Sequence, residues 1–518
     1  MYLTQGLHRM QQQNPDALAT VFRGRRHTYR ELGERVSRLA GALQGLGMQP
    51  GDRVGMLGLN SDRFLEYMLG TWWGGGVINP VNIRWSVPEI VYSLDDCDTR
   101  ILLVDDNFLP MAEGIASTAK VRPLLVHVGD GVAPAGMLSY EHLIREHAPV
   151  DDAFRGGQDL AGIMYTGGTT GRPKGVMQSH LNLWSSAIMS LADHPLQKNC
   201  IALHVAPMFH TACMSSLVAQ VVAGNPHVFV PMFDVIDVLQ TIERERVTDT
   251  LLVPTMLQAM IQHPDFAKYD LSSFKRLTYG ASPIAAPVLE RALELLPGVE
   301  FMHGYGMTET SPAISRNGPG NHSREGIANG LLRSAGRPLQ GIAVRVVDEN
   351  DNEVPRGTVG EVVVRGSNVM LGYWNRPEET AEALRGGWMH TGDGAYMDED
   401  GYLFIVDRIK DMIVTGGENV YSAEVESAVA GHPAVAACAV IGIPSDKWGE
   451  AVHAVVVLKP GCEAAEAGII EHCRQHIAGY KCPKSVTFTT ALPLSGAGKV
   501  LKRDLREPYW KDKARAVN

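Results

Sequence analysis

Short apolar runs that alternate with helical patterns constrain this chain more than any other feature. Residues 53–57, 100–104 and 124–128 are mostly apolar and have the length of buried strands, and 65–74 reads as a helix between two of them. Residues 29–45 carry apolar side chains at helical spacing and open after Thr28, whose hydroxyl can cap a helix. The rhythm continues with strands at 201–206, 228–230 and 250–253 and helices at 234–245 and 287–296, the last stopped by Pro297 and Gly298. Such alternation predicts parallel sheet buried under helices on both faces. The chain has 518 residues; at roughly 150 residues per domain this predicts three or four folding units.

The texture changes after about residue 335. Residues 342–347 and 360–365 read as antiparallel strands around the turn-forming stretch 348–353, which predicts a β-rich subdomain over about 335–406. From about 411 a separate strand–helix alternation begins, with strands at 435–440 and 452–458 and a helix at 464–476. Trp72 and Trp73 read as packing residues.

Chemistry concentrates in four strings. The first, MYTGGTTGRPKGV at 164–176, offers Thr166, Gly167, Gly168, Thr169, Thr170, Gly171 and Lys174 to a phosphate. Glycines let backbone N–H groups approach an anion, threonine hydroxyls donate, and lysine supplies a point charge. The spacing is not G-x-x-x-x-G-K-[ST], because Arg172 and Pro173 stand between Gly171 and Lys174. The second, GYGMTET at 304–310, presents Tyr305 to stack on a base, Thr308 to donate to a phosphate and Glu309 as a hard oxygen ligand for Mg²⁺. The third runs from 388 to 426 and contains TGD, DRIKD and TGGEN. The fourth, LPLSGAGKVLKR at 492–503, sets Lys499 in a glycine-rich stretch.

YTGGTTGRPKG resembles the phosphate loop of the adenylate-forming superfamily, which comprises acyl-CoA synthetases, peptide-synthetase adenylation domains and luciferases. That family usually has serine where this chain has Gly167, a change that removes one hydroxyl and keeps the backbone donors. The other three strings follow in family order, so the resemblance spans nearly the whole chain. It implies an α/β protein: a large N-terminal domain (1–406) of parallel-sheet α/β subdomains plus a small β-barrel-like subdomain, a hinge at 407–410, and a small mobile α+β C-terminal domain (411–518).

The resemblance also implies roles. Gly280, Ala281 and Ser282, in YGASP, would line adenine with Gly304 and Tyr305. Thr308 would contact the α-phosphate and Glu309 the metal. Asp393 would take the ribose hydroxyls, supported by Arg408, and Lys410 would be the hinge. Lys499 would reach from the small domain to neutralise a carboxylate and the α-phosphate as they meet. Gly416 and Gly417 would border the channel for coenzyme A. His210, in PMFHTAC, would gate an acyl pocket shared with Gly280, Gly306 and Met307. Acetate-specific relatives place tryptophan where this chain has Gly306, so glycine predicts an open pocket.

The implied reaction is AMP-forming ligation of a small-molecule carboxylic acid to coenzyme A with ATP and Mg²⁺. A medium- or long-chain fatty acid is the expected substrate, and an aryl acid such as a cinnamate or benzoate is the rival. Luciferase-like oxygenation, acyl transfer to a carrier protein and non-catalytic acyl-nucleotide binding are the other readings. No carrier domain follows within the chain, and Glu309, Asp393 and Lys499 together argue against a mere binder.

Composition narrows the partners. A formal net charge of -10 argues against nucleic acid. No apolar run reaches the ~20 residues that a membrane helix requires, so no integral membrane association is expected. The first residues lack the pattern of a signal peptide and the last are not an S-K-L address, which predicts a cytoplasmic protein. The seven cysteines are scattered, as reduced thiols would be. His472, Cys473, His476 and Cys482 match no familiar zinc spacing and read as the end of a helix and a loop. The sequence leaves homodimerisation open.

Overall fold

The protein is described from a computed structural model covering residues 1–166, 173–196, 200–282, 284, 286–416, 418–495 and 500–511. Two large sheets dominate. One runs, in spatial order, through Arg337–Pro338, Ser315–Asn317, Glu300–Tyr305, Arg276–Gly280, Asp249–Leu252, Ala202–His204, His227–Phe229, Leu18–Phe22 and Arg25–Thr28. Its central strands, from Glu300–Tyr305 across to Leu18–Phe22, are parallel. The other runs through Gly372–Tyr373, Lys174–Ser179, Leu160–Thr166, Val77–Pro80, Arg53–Leu57, Ile101–Asp105, Leu124–Val128 and Leu138–Ser139. It is parallel except for the Lys174–Ser179 pairings at one edge.

Local chemistry explains the covering helices. Tyr29–Gly45 begins with a reciprocal capping box: Glu31 N–H donates to Thr28 Oγ1 at 3.2 Å and Thr28 N–H donates to Glu31 Oε2 at 2.7 Å. The helix expected at 65–74 extends over Asp62–Trp73, with Ser61 accepting from Phe64 N–H at its start. Every one of its residues is buried, so it has no polar face to reveal its phase. Trp72 and Trp73 are core residues whose indole N–H groups donate to the Ala161 and Val150 carbonyls at 2.9 and 2.8 Å.

A four-stranded antiparallel sheet follows, in the order Ile342–Val347, Gly360–Gly366, Met389–Met397, Leu403–Arg408. Past the turn Ile409–Asp411, a small α+β unit has its own hydrophobic core, which includes Ile413, Val425, Val440, Val456 and Ile469. Cys473 and Cys482 are buried in that core as apolar packing. Its long hairpin, Val435–Ser445 against Gly449–Leu458, exceeds both strands expected there. Among the described residues, no helix is long and apolar enough to cross a membrane.

Candidate nucleotide and acyl site

Parallel strands point their carboxyl ends the same way, and the crevice outside those ends is where α/β sheets bind ligands. Strand Leu160–Thr166 ends at Thr166, which pairs across an antiparallel ladder with Lys174 at the start of Lys174–Ser179. The first string therefore connects two strands of a hairpin, unlike a strand-to-helix P-loop. Gly167, Gly168, Thr169, Thr170 and Gly171 lie outside the described residues. The strands flanking them are braced: Tyr165 O–H donates to Asp96 Oδ2 at 2.6 Å, and Trp374 N–H donates to the Gly175 carbonyl at 2.7 Å.

Two neighbouring strands of the other sheet end together, with Gly280 in register with Gly304. A Cβ on Gly280 would lie 2.3 Å from the Gly304 carbonyl oxygen, so only glycine lets these ends approach. Ala281 follows in the left-handed region at φ 67°, turning Ser282 away from the strand direction. Beyond Tyr305, Thr308–Thr310 forms a single 3₁₀ turn that carries Thr308 and Glu309.

The structure brings together the two residues of the third string expected at a ribose. Asp393 and Arg408 are register partners on adjacent strands, and Arg408 Nε lies 2.6 Å from Asp393 Oδ1. Tyr305 O–H donates to Asp393 Oδ2 at 2.7 Å, which joins the second string to the third. Burial and the Asp393 carboxylate push the Tyr305 hydroxyl far above its ordinary pKa, so it stays protonated and donating. Burial alone would lower the Arg408 pKa; Asp393, Tyr305, Glu309 and Asp411 together outweigh it and hold the guanidinium charged. Lys410 sits in the turn Ile409–Asp411, directly after this strand.

Glu309 is buried, and its Oε1 accepts from Tyr373 O–H at 2.8 Å. Burial and that carboxylate raise the Tyr373 pKa. Lys174 forms an ion pair with Glu379 and lies 5.0 Å from the centre of the Tyr373 ring. Gln178 Nε2 donates to the Thr308 carbonyl at 2.7 Å, and Asn368 Nδ2 to the Thr310 carbonyl at 2.8 Å. Reading the sequence missed these four supports. Tyr373 and Glu379 fall in GYWNRPEET, whose visible signal is only a turn and a proline-started helix.

His210 precedes the helix Thr211–Ala223, with its ring 4.4 Å from that of Phe209. Beside it opens a cavity of about 310 Å³, lined by Asn60, Arg84, Phe209, Met232, Met256 and Leu494 among others. These come from segments that follow the carboxyl ends of strands in both sheets, except Leu494 of the C-terminal unit. Arg84 Nη1 donates to the Ser495 carbonyl at 3.1 Å, so Ser495 of the C-terminal unit touches the large unit. Lys499 itself lies outside the described residues, as does Gly417. Gly416, at φ 61°, sits in a turn where a Cβ would meet the Trp448 ring at 3.0 Å.

A Cβ on Gly306 would lie 1.3 Å from the Pro312 carbonyl oxygen, so backbone fills the space that a side chain would take there. Ser311, in the left-handed region at φ 58°, folds the chain back to put that carbonyl there. Met307, next along, is partly buried against the main core.

The family model described as AMP-binding enzyme matches residues 7–374, and that described as AMP-binding enzyme C-terminal domain matches residues 424–499. A feruloyl-CoA synthase from Amycolatopsis sp is 41% identical over 497 residues, covering 96% of this chain and 96% of that protein. The fatty acid–[acyl-carrier-protein] ligase ScoC of Streptomyces coeruleorubidus is 36% identical over 512 residues, covering 98% and 96%. Among solved structures, an anthranilate CoA ligase, AuaEII, in complex with anthranoyl-AMP superposes with a TM-score of 0.91 at 30% identity, covering 98% of this chain and 97% of that one.

Proposed function

The chain belongs to the AMP-binding enzyme family, and on that premise we propose that it is an acid–CoA ligase that activates an aromatic carboxylic acid with ATP. The observation that carries the reading is the joining of Tyr305, Asp393 and Arg408 into one hydrogen-bonded group beside Glu309 and Lys174. A ring face, a carboxylate acceptor, a lysine cation and a buried hard carboxylate are the groups that a nucleoside triphosphate with its metal ion requires.

A carboxylate cannot acylate a thiol directly, because its leaving group is poor. In the first step a carboxylate oxygen bonds to the α-phosphorus of ATP and pyrophosphate leaves. In the second the thiol sulfur of coenzyme A bonds to the carbonyl carbon, the bond to AMP breaks and the thiol proton passes to solvent. No enzyme nucleophile is needed; the protein positions the reactants and stabilises charge. Thr308 would donate to the α-phosphate, and Lys174 would hold phosphate oxygens. Glu309 suits Mg²⁺, since it is a buried carboxylate with Oε1 braced by Tyr373 and Oε2 still able to accept. The ion would neutralise phosphate charge there.

One comparison favours an aromatic acid over the fatty acid expected from sequence: the feruloyl-CoA synthase, at 41% identity, is nearer than the fatty-acid ligase at 36%. A medium- or long-chain fatty acid remains the second reading, supported by that ligase, whose name also supplies a carrier protein as the alternative thiol.

The test is pyrophosphate release with Mg-ATP against ferulate, cinnamate, benzoate and C8–C16 fatty acids, each with and without coenzyme A. Release on aromatic acids, with thioester only when coenzyme A is added, is the expected result. Release on fatty acids alone would reverse the choice of acid, and release on none would sink the ligase reading.

A further inference from the structure

The proposed chemistry uses only part of the group where strand Lys174–Ser179 meets helix Pro377–Ala383. Lys174 is paired with Glu379 and stands over the ring of Tyr373, whose hydroxyl binds Glu309. One tyrosine thus links the lysine meant for phosphate to the carboxylate meant for metal, while the lysine is already held by an anion. Glu379 is itself fixed: Thr380, the next residue, accepts from Tyr373 N–H at 2.9 Å, and Arg376 lies 3.8 Å from Glu379 Oε1. The pair is open to solvent, with side chains 28% and 35% exposed. Water and salt weaken such a pair, so it can be exchanged, whereas a buried pair would hold.

We propose that Glu379 is the resting partner of Lys174: it keeps the ammonium beside Tyr373 until a polyphosphate takes it over, and this exchange tunes the affinity for nucleoside triphosphate. The inference rests on the ATP-dependent reading above. A lysine ammonium is a compact point charge, so it gives its full attraction to one anion at a time. A triphosphate must therefore compete with Glu379 for it. A neutral ligand of the same base and sugar meets no such competition.

Calorimetric binding of Mg-ATP and of adenosine to the full chain tests this with Glu379→Gln, Lys174→Ala and the double variant. Glu378→Gln removes an exposed neighbouring charge from the same helix and controls for long-range effects. Neutralising a weak surface pair should tighten Mg-ATP by about two- to fivefold in Glu379→Gln. Adenosine affinity should stay the same, Glu378→Gln should match the parent chain, and the double variant should match Lys174→Ala. Weaker or unchanged Mg-ATP binding in Glu379→Gln, or an equal gain without Lys174, overturns the exchange. A parent chain that binds no Mg-ATP overturns the reading beneath it, so the two failures are distinguishable. Glu379→Gln keeps the side chain's size at a partly exposed position, and a thermal melt matching the parent's checks that its fold is intact.

Discussion

Asp393 has both oxygens engaged before any ligand arrives, one by Arg408 and one by Tyr305. Each carboxylate oxygen still has a further lone pair, so two ribose hydroxyls can be added without displacing either partner. Asp393→Asn keeps the shape but turns one acceptor into a donor facing a guanidinium or a phenol. A hydrogen bond to a charged group contributes about 1.5–3 kcal/mol, so KM for ATP should rise about tenfold to a hundredfold, with a smaller change in kcat. 2′,3′-Dideoxy-ATP checks the assignment: the parent chain should lose comparable affinity for it, and Asp393→Asn little more. Losses that add in full would remove Asp393 from the ribose. The pairing of Asp393 with Arg408 was legible in the sequence because both fall within a recognisable string, whereas the Tyr305 bond to Asp393 was not. Tyr373 and Glu379 were not, since the Tyr373–Glu309 contact spans 64 positions and neither residue type is diagnostic alone.

Elements were legible where burial is one-sided or the run is short and apolar, as in Tyr29–Gly45 and Arg53–Leu57. They blurred where burial is complete, as in Asp62–Trp73, and at the single 3₁₀ turns, which are too short for any periodicity. The turn Thr308–Thr310 and its return through Ser311 explain why residue 306 is glycine. Gly306→Ala should therefore act on the turn and not on the choice of acid. The added methyl must displace the Pro312 carbonyl, and with it the peptides that flank Thr308 and Glu309. Overpacking of this kind costs roughly 1–3 kcal/mol. Pyrophosphate release should drop by a similar factor for every accepted acid, with a melting temperature lower than the parent's. Full activity with a shifted preference in acid size would restore the pocket-opening role.

At the scale of the molecule, the order of the four strings was legible but the contacts between segments distant in sequence were not. Nothing in the sequence relates Arg84 to Ser495, yet their hydrogen bond and the cavity that Leu494 lines bring Leu494 and Ser495 against the large unit. The two half-reactions call for different groups at one crevice. Adenylation brings two anions together and needs a cation that arrives for that step. Thioester formation needs a passage for a narrow thiol arm. On the proposed reading, one small domain would supply both by turning about Lys410, offering Lys499 for the first step and Gly416 and Gly417 for the second. Lys499→Ala should then abolish pyrophosphate release while leaving thioester formation from supplied acyl-AMP largely intact. Gly417→Trp should do the reverse, with acyl-AMP accumulating in the presence of coenzyme A. The two half-reactions are measured separately on each variant, by pyrophosphate release and by thioester yield from synthetic acyl-AMP. Equal loss of both in Lys499→Ala would mean that the lysine supports the whole site and that no exchange of faces divides the work.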